Sequence, residues 1–299
     1  MNRHLLDIDD YSIDDVRRVV ELATMPIDQL GLRYERKGVA CFFEKPSART
    51  RNSTEVAVAQ MGGHPVYIGP TELGIDTRES AEDVIRTLAC YHEVFCGRVY
   101  DHTVLERMAG VDQIPIVNLL SDQAHPTQAI ADVLTMIREF GSLDGRVVTY
   151  VGDSNNVTRS LALAVGALGG VMRVGSPAGY QFDDLQLDRL RASGVEISSS
   201  DRLDDVLPGS DVVYTDAWIS MGDEAEAEER LQAFEGRRVD AAMMAKAPNA
   251  IFMHCLPAHR GEEVTDDVLD GPTSRIWPQA ANRLASIRGI LAFIAESRS

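Results

Sequence analysis

Short runs of β-branched and apolar residues alternate with longer amphipathic stretches along almost all of this 299-residue chain. Strands separated by helix-length segments cannot pair through tight hairpins. They return through crossover helices and lie parallel, with helices covering the sheet. The first series reads as a helix over 12–23, a strand over 39–43, a helix over 50–61 stopped by Gly62-Gly63, and a strand over 65–68. It continues with a helix over 80–91, a strand over 94–96, a helix over 103–109 and a strand over 115–119. A helix over 126–140, ended by Gly141, leads into a second series: a strand over 146–151, a helix over 158–168 and a strand over 171–174. Strands at 195–197, 211–215 and 250–253 and a helix over 281–296 complete it. The expected fold is α/β: two doubly wound parallel-sheet domains over 1–133 and 134–282, with 283–299 a final helix packing back on the first. Ligands of open parallel sheets sit beyond the carboxyl ends of the strands, so the active site is expected in the cleft between the domains.

With 44% hydrophobic and 25% charged residues, the chain needs no covalent staples to fold. Its cysteines, Cys41, Cys90, Cys96 and Cys255, lack the spacing of zinc or redox sites and read as reduced, mostly buried thiols. Residues 1–7 carry no basic segment followed by an apolar one, and no uncharged run is long enough to span a bilayer. Secretion and membrane insertion are therefore not expected, and the cytoplasm is the default. A net charge of −17 argues against nucleic acid as a partner. An anionic substrate would need a local cationic pocket.

Four segments place polar chemistry just after expected strands. Glu44-Lys45-Pro46-Ser47-Ala48-Arg49-Thr50-Arg51 opens directly into a helix. Free backbone N–H groups, the helix dipole, two hydroxyls and a forked cation there suit an anion. Without G-x-x-x-x-G-K-[ST], a triphosphate loop is not indicated. Ser121-Asp122-Gln123-Ala124-His125-Pro126-Thr127-Gln128 begins another helix with proline in its first turn, leaving His125 and Gln128 able to face a ligand. Gly152-Asp153-Ser154-Asn155-Asn156 has the position of a dinucleotide fingerprint but not its glycines. Thr215-Asp216-Ala217-Trp218 offers a carboxylate for a cationic group. Finally, His254-Cys255-Leu256-Pro257 puts a thiol and an imidazole at the end of the last strand.

Together these segments resemble the ornithine carbamoyltransferase branch of the aspartate/ornithine carbamoyltransferase family, over nearly the whole chain. Ser47-Ala48-Arg49-Thr50-Arg51 is similar to the family's Ser-Thr-Arg-Thr-Arg signature, and His125-Pro126-Thr127-Gln128 to its His-Pro-x-Gln signature. The segments Asp216–Gly222 and His254-Cys255-Leu256-Pro257 separate the ornithine branch from the aspartate branch. The resemblance implies that Ser47, Ala48, Arg49, Thr50, Arg98, His125 and Gln128 bind carbamoyl phosphate, joined by Cys255, Leu256 and Arg283. It implies that Asn156, Asp216, Ser220 and Met221 bind ornithine, with Cys255, Asp216, Arg98 and His125 the catalytic set. The first domain would then hold carbamoyl phosphate and the second ornithine.

The sequence departs from the family at Ala48, where threonine is usual, and at Ala281, where glutamate is common. Ser154 replaces a usual glycine and Arg159 a frequent histidine. The resemblance also implies a homotrimer in which a loop matching 71–79 reaches a neighbouring subunit's site, with Glu72 standing for a glutamine. Direct attack of an amine on a positioned carbonyl requires no metal and no cofactor. Competing readings are carbamoyl transfer to another amine, such as putrescine or acetylornithine, and a weakly active carbamoyl phosphate-binding homologue supported by Ala48.

Overall fold

The computed structural model describes residues 2–219 and 224–298. It contains two compact units, Met1–Leu134 with Ala281–Ser299, and Thr135–Ala280. In the first unit α1 (Ile13–Thr24) and α2 (Ile27–Leu30) precede β1 (Gly38–Phe43), α3 (Ala48–Gln60), β2 (His64–Ile68) and α4 (Pro70–Leu73). Then come α5 (Ala81–Leu88), β3 (His92–Arg98), α6 (His102–Val111), β4 (Ile116–Leu120) and the start of α7 (Pro126–Phe140), which runs on into the second unit. The strands form one parallel sheet in the order β2-β1-β3-β4. Five of the six β1 residues are buried, because crossover helices cover the sheet and period-two alternation disappears. Phe42, Phe95, Ile85, Leu105 and Ile116 anchor the core against α5 and α6. Strand order reverses between β1 and β3, so the loops after these strands diverge at a topological switch point.

The second unit runs through β5 (Val147–Val151), α8 (Asn156–Ala167), β6 (Val171–Gly175), α9 (Asp184–Ala192), β7 (Glu196–Ser200) and α10 (Leu203–Val206). It continues with β8 (Val212–Thr215), α11 (Ala227–Ala233), α12 (Ala241–Met244), β9 (Ile251–His254), α13 (Asp266–Leu269) and the start of α14 (Ile276–Glu296). Its sheet is again parallel, ordered β7-β6-β5-β8-β9, with the reversal between β5 and β8. Val151, Val213 and Phe252 pack with Val239, Val264 and Val268 in its core. Among the described residues, no helix is long and apolar enough to cross a membrane.

Several boundaries differ from expectation. Helix α5 stops at Leu88, and Cys90 beyond it is exposed rather than buried, while Cys41 and Cys96 are buried. Helix α14 begins five residues early at Ile276, because Pro278 lies in the first turn, where its missing N–H costs nothing. Strand β7 extends to Ser200; its polar Glu-Ile-Ser-Ser-Ser sequence suits a half-exposed sheet edge. Helix α9 was not anticipated, although Asp183 and Gln186 form a capping box that marks its start. The acidic 224–230 stretch is a short 3-10 turn followed by the first residues of α11.

Candidate active site

The first cluster gathers around the N-terminus of α3. Ser47 occupies the N-cap with φ −154° and ψ 114°, but its hydroxyl does not cap the helix. The ordinary reason for a serine there is thus absent, and the amides of the first turn stay open to a ligand. Ala48 and Arg49 are exposed on that turn, and Thr50 is buried. From the end of β3 comes Arg98, only 7% exposed. Its Nε is buried without a hydrogen-bond partner. Neither Arg98 nor Arg49 forms an ion pair among the described residues, despite 46 acidic side chains in the sequence. Burial first, and the neighbouring Arg49 charge second, lower the Arg98 pKa to about 10, leaving it protonated at neutral pH. Burying a guanidinium without a carboxylate partner is costly, and an anion bound beside Arg98 would offset that cost.

Arg283, on the α14 segment of the same unit, completes the cluster. Its Nη2 donates to Thr50 Oγ1 at 2.9 Å, and Nη1 donates to Gln128 Oε1 and lies 3.5 Å from His125 Nε2. His125 immediately precedes α7 and is 5% exposed. Desolvation, together with the charges of Arg283, Arg98 and Arg49, holds its pKa well below the usual histidine value. It is therefore a neutral imidazole at pH 7.

Hydrogen bonds tie the three loops together. Glu44 N–H donates to Arg98 O at 2.9 Å, and Glu44 Oε2 accepts from Tyr100 N–H at 2.7 Å, joining the loops after β1 and β3. Asp122 N–H donates to Tyr100 O at 3.1 Å, and Asp122 Oδ1 accepts from His102 N–H at 2.9 Å, joining the loops after β3 and β4. Sequence reading placed Glu44 and Asp122 in these segments but gave them no role, because a carboxylate serving backbone amides leaves no side-chain pattern. Glu72 accepts from Gly69 N–H at 2.6 Å and caps α4.

The second cluster lies in the other unit, at the ends of β8 and β9. Asp216, 8% exposed, receives the Cys255 thiol on Oδ1 at 2.8 Å and the Ala217 N–H on the same oxygen at 2.8 Å. The Cys255 loop is built on His254, which is fully buried. Leu256 N–H donates to His254 Nδ1 at 2.8 Å, so that nitrogen carries no proton. The proton is on Nε2, which donates to Glu263 Oε1 at 3.0 Å. Leu256, whose N–H meets His254 Nδ1, sits in the left-handed region at φ 61°, uncommon for a residue with a branched side chain. Glu263, nine residues from His254, went unnoticed in the sequence because nothing in its spacing marks it. Donor atoms of Asp216, His254 and Cys255 lie within 4.8 Å of one another, yet both His254 nitrogens are engaged, which leaves the trio a poor metal site.

Asn156 is the first residue of α8, after β5; its Oδ1 accepts from Val157 N–H at 2.9 Å. Strands β5 and β8 are neighbours, so the Asn156 and Asp216 loops leave adjacent strand ends. Ser220 and Met221 lie outside the described residues. Cys255 and Leu256 stand in the second unit, apart in sequence from the eight first-unit residues with which they were grouped.

Two parallel-sheet units, one with uncompensated arginines at a helix start and the other with a carboxylate–thiol pair at its strand ends, define an α/β protein equipped for an anionic and a cationic ligand. Residues 3–138 match the family model of the aspartate/ornithine carbamoyltransferase carbamoyl-P binding domain, and residues 144–294 that of the Asp/Orn binding domain. The chain belongs to the aspartate/ornithine carbamoyltransferase family. It is similar to the anabolic ornithine carbamoyltransferase of Pyrococcus furiosus, 42% identical over 302 residues, spanning 98% of this chain and 96% of that protein. The ornithine carbamoyltransferase of Hyperthermus butylicus is 43% identical over 308 residues, spanning 98% and 97%. The solved Pyrococcus furiosus ornithine carbamoyltransferase superposes with a TM-score of 0.92 at 40% identity, covering 98% of this chain and 96% of that one. The Thermus thermophilus enzyme gives 0.87 at 36% identity, covering 98% and 99%.

Proposed function

We propose that this protein transfers the carbamoyl group of carbamoyl phosphate to the side-chain amine of L-ornithine, giving L-citrulline and phosphate. The family and the relatives' names support the reaction. The observation that carries it is the pair Arg49 and Arg98, cations without counter-ions among the described residues, at the open start of α3. Ser47, the Ala48 amide, Arg49, Thr50 and Arg98 hold the phosphoryl group, with Arg283 and Gln128 closing the pocket. Carbamoyl phosphate is a dianion with a reactive carbonyl, and charge grows on the phosphate as it leaves. Fixed donors stabilise that growth without reorganising. His125 and Thr50 polarise the carbonyl oxygen, a task suited to a neutral imidazole.

Ornithine binds the second unit, its α-amino group on Asp216, with Asn156, Ser220 and Met221 completing the site. Its side-chain amine has a solution pKa of roughly 10.4, like lysine, and must lose a proton before attacking. The Cys255–Asp216 pair is the acceptor. Attack on carbon then expels phosphate, with no acyl-enzyme formed. We place the protein in the cytoplasm, as a homotrimer, serving arginine metabolism. A colorimetric citrulline assay tests the reading, with putrescine, aspartate and acetylornithine in parallel. Turnover with ornithine is expected. A preference for putrescine, which lacks the α-amino and carboxylate pair, would overturn the ornithine assignment.

A further inference from the structure

Below the first cluster lies a buried carboxyl group that the proposed reaction does not use. Asp132 is on α7, fully buried, one helical turn after Gln128 and on the same face. Gln128 Nε2 donates to Asp132 Oδ1 at 2.7 Å. At the other end of that amide, Arg283 Nη1 donates to Gln128 Oε1.

A primary amide can be turned end for end at almost no steric cost, so its sense is set by its partners. Here the partners permit one sense. A guanidinium only donates, so the amide oxygen must face Arg283; the NH2 group must then face an acceptor, which Asp132 supplies. Turning the amide over would set NH2 against Arg283 and oxygen against oxygen at Asp132. We propose that Asp132 is a positioning residue that locks Gln128 with its carbonyl toward the substrate side. An amide oxygen has two acceptor sites, and Arg283 fills one. The second takes an N–H donor. Resting on the functional reading above, that donor is the amino group of carbamoyl phosphate, which inorganic phosphate lacks. The Asp132–Gln128 pair therefore selects the carbamoyl group, while Arg49 and Arg98 hold any phosphate.

The test is calorimetric titration of the full chain with carbamoyl phosphate and, separately, with inorganic phosphate. Relative to wild type, Asp132→Leu should weaken carbamoyl phosphate about tenfold or more, the scale of one buried hydrogen bond. Phosphate affinity should stay within about threefold. A merely structural loss would move both ligands together, and that result, or an unchanged ratio, overturns the proposal. Wild-type protein that binds phosphate but not carbamoyl phosphate would instead overturn the functional reading, and this inference with it. Should Asp132→Leu fail to fold, the pair Gln128→Glu and Asp132→Asn decides. Alone, Gln128→Glu sets two carboxyl groups face to face; with Asp132→Asn, the new NH2 donates back to Glu while a Glu oxygen still meets Arg283. The double variant must melt above the single Gln128→Glu, and a double variant no more stable overturns the lock.

Discussion

The two clusters are built alike and charged oppositely. Each stands on loops leaving the carboxyl ends of parallel strands, the first at the reversal between β1 and β3, the second on β8 and β9 beside the reversal between β5 and β8. In the first unit those loops carry Arg49 and Arg98, with no counter-ion among the described residues, beside a helix whose N-cap hydroxyl leaves its amides open. In the second they carry Asp216, already bonded by the Cys255 thiol. In the proposed reading, one scaffold therefore makes a dianion receptor and an ammonium receptor, and the difference lies in a few loop residues. A net charge of −17 makes the contrast sharper, because most arginines elsewhere are answered by carboxylates, as Arg107 is by Asp76 and Glu82.

Breaking the acidic side should have the largest effect. Asp216→Asn removes a buried charge from the proposed ammonium partner and from the proton acceptor, at a cost on the order of 2–5 kcal/mol. Steady-state kinetics should show kcat/KM for ornithine falling accordingly. On the basic side, Arg49→Lys keeps the charge but loses the fork, and should cost about 1.5–3 kcal/mol in carbamoyl phosphate affinity by calorimetry.

A smaller effect is a pH dependence confined to the first unit. The folded His125 pKa is depressed below the unfolded value of about 6.5 by burial and three arginines. As pH falls through 6.5, the unfolded chain takes up a proton that the folded chain refuses. Stability contributed by neutral His125 is therefore present above pH 6.5 and declines below it, by at most about 1.4 kcal/mol per pH unit. Denaturant melts of wild type and His125→Asn between pH 7.5 and roughly pH 5 check this; the variant should show the shallower decline. Smallest is Ala48→Thr. Restoring a hydroxyl to the exposed first turn of α3 should tighten carbamoyl phosphate by no more than about tenfold, the low end for one charge-assisted bond. Wild-type turnover that is absent, and recovered by threonine, would mark the protein as a weakened homologue.

The two sheets were legible because their strands are buried on both faces and appear as apolar runs, as at Val147–Val151 and Ile251–His254. Strand β7 and helix α9 were harder, one a polar sheet edge and the other a mostly exposed helix with a single buried residue, Leu190. At the site, residues within one motif could be read directly, since Ser47 to Thr50 fall on one helix turn. Asp132 could have been found, being four residues from Gln128 on one helix face. Glu263 and Glu44 could not, because their partners lie across folded loops and their side chains serve a buried imidazole and a backbone amide.

The most direct test of the division between the two clusters is one calorimetric series: carbamoyl phosphate titrated into wild type, Arg49→Lys and Asp216→Asn under identical conditions. The account predicts a loss of about tenfold or more in Arg49→Lys and an affinity close to wild type in Asp216→Asn. Wild-type affinity in Arg49→Lys, or an equal loss in Asp216→Asn, would contradict it.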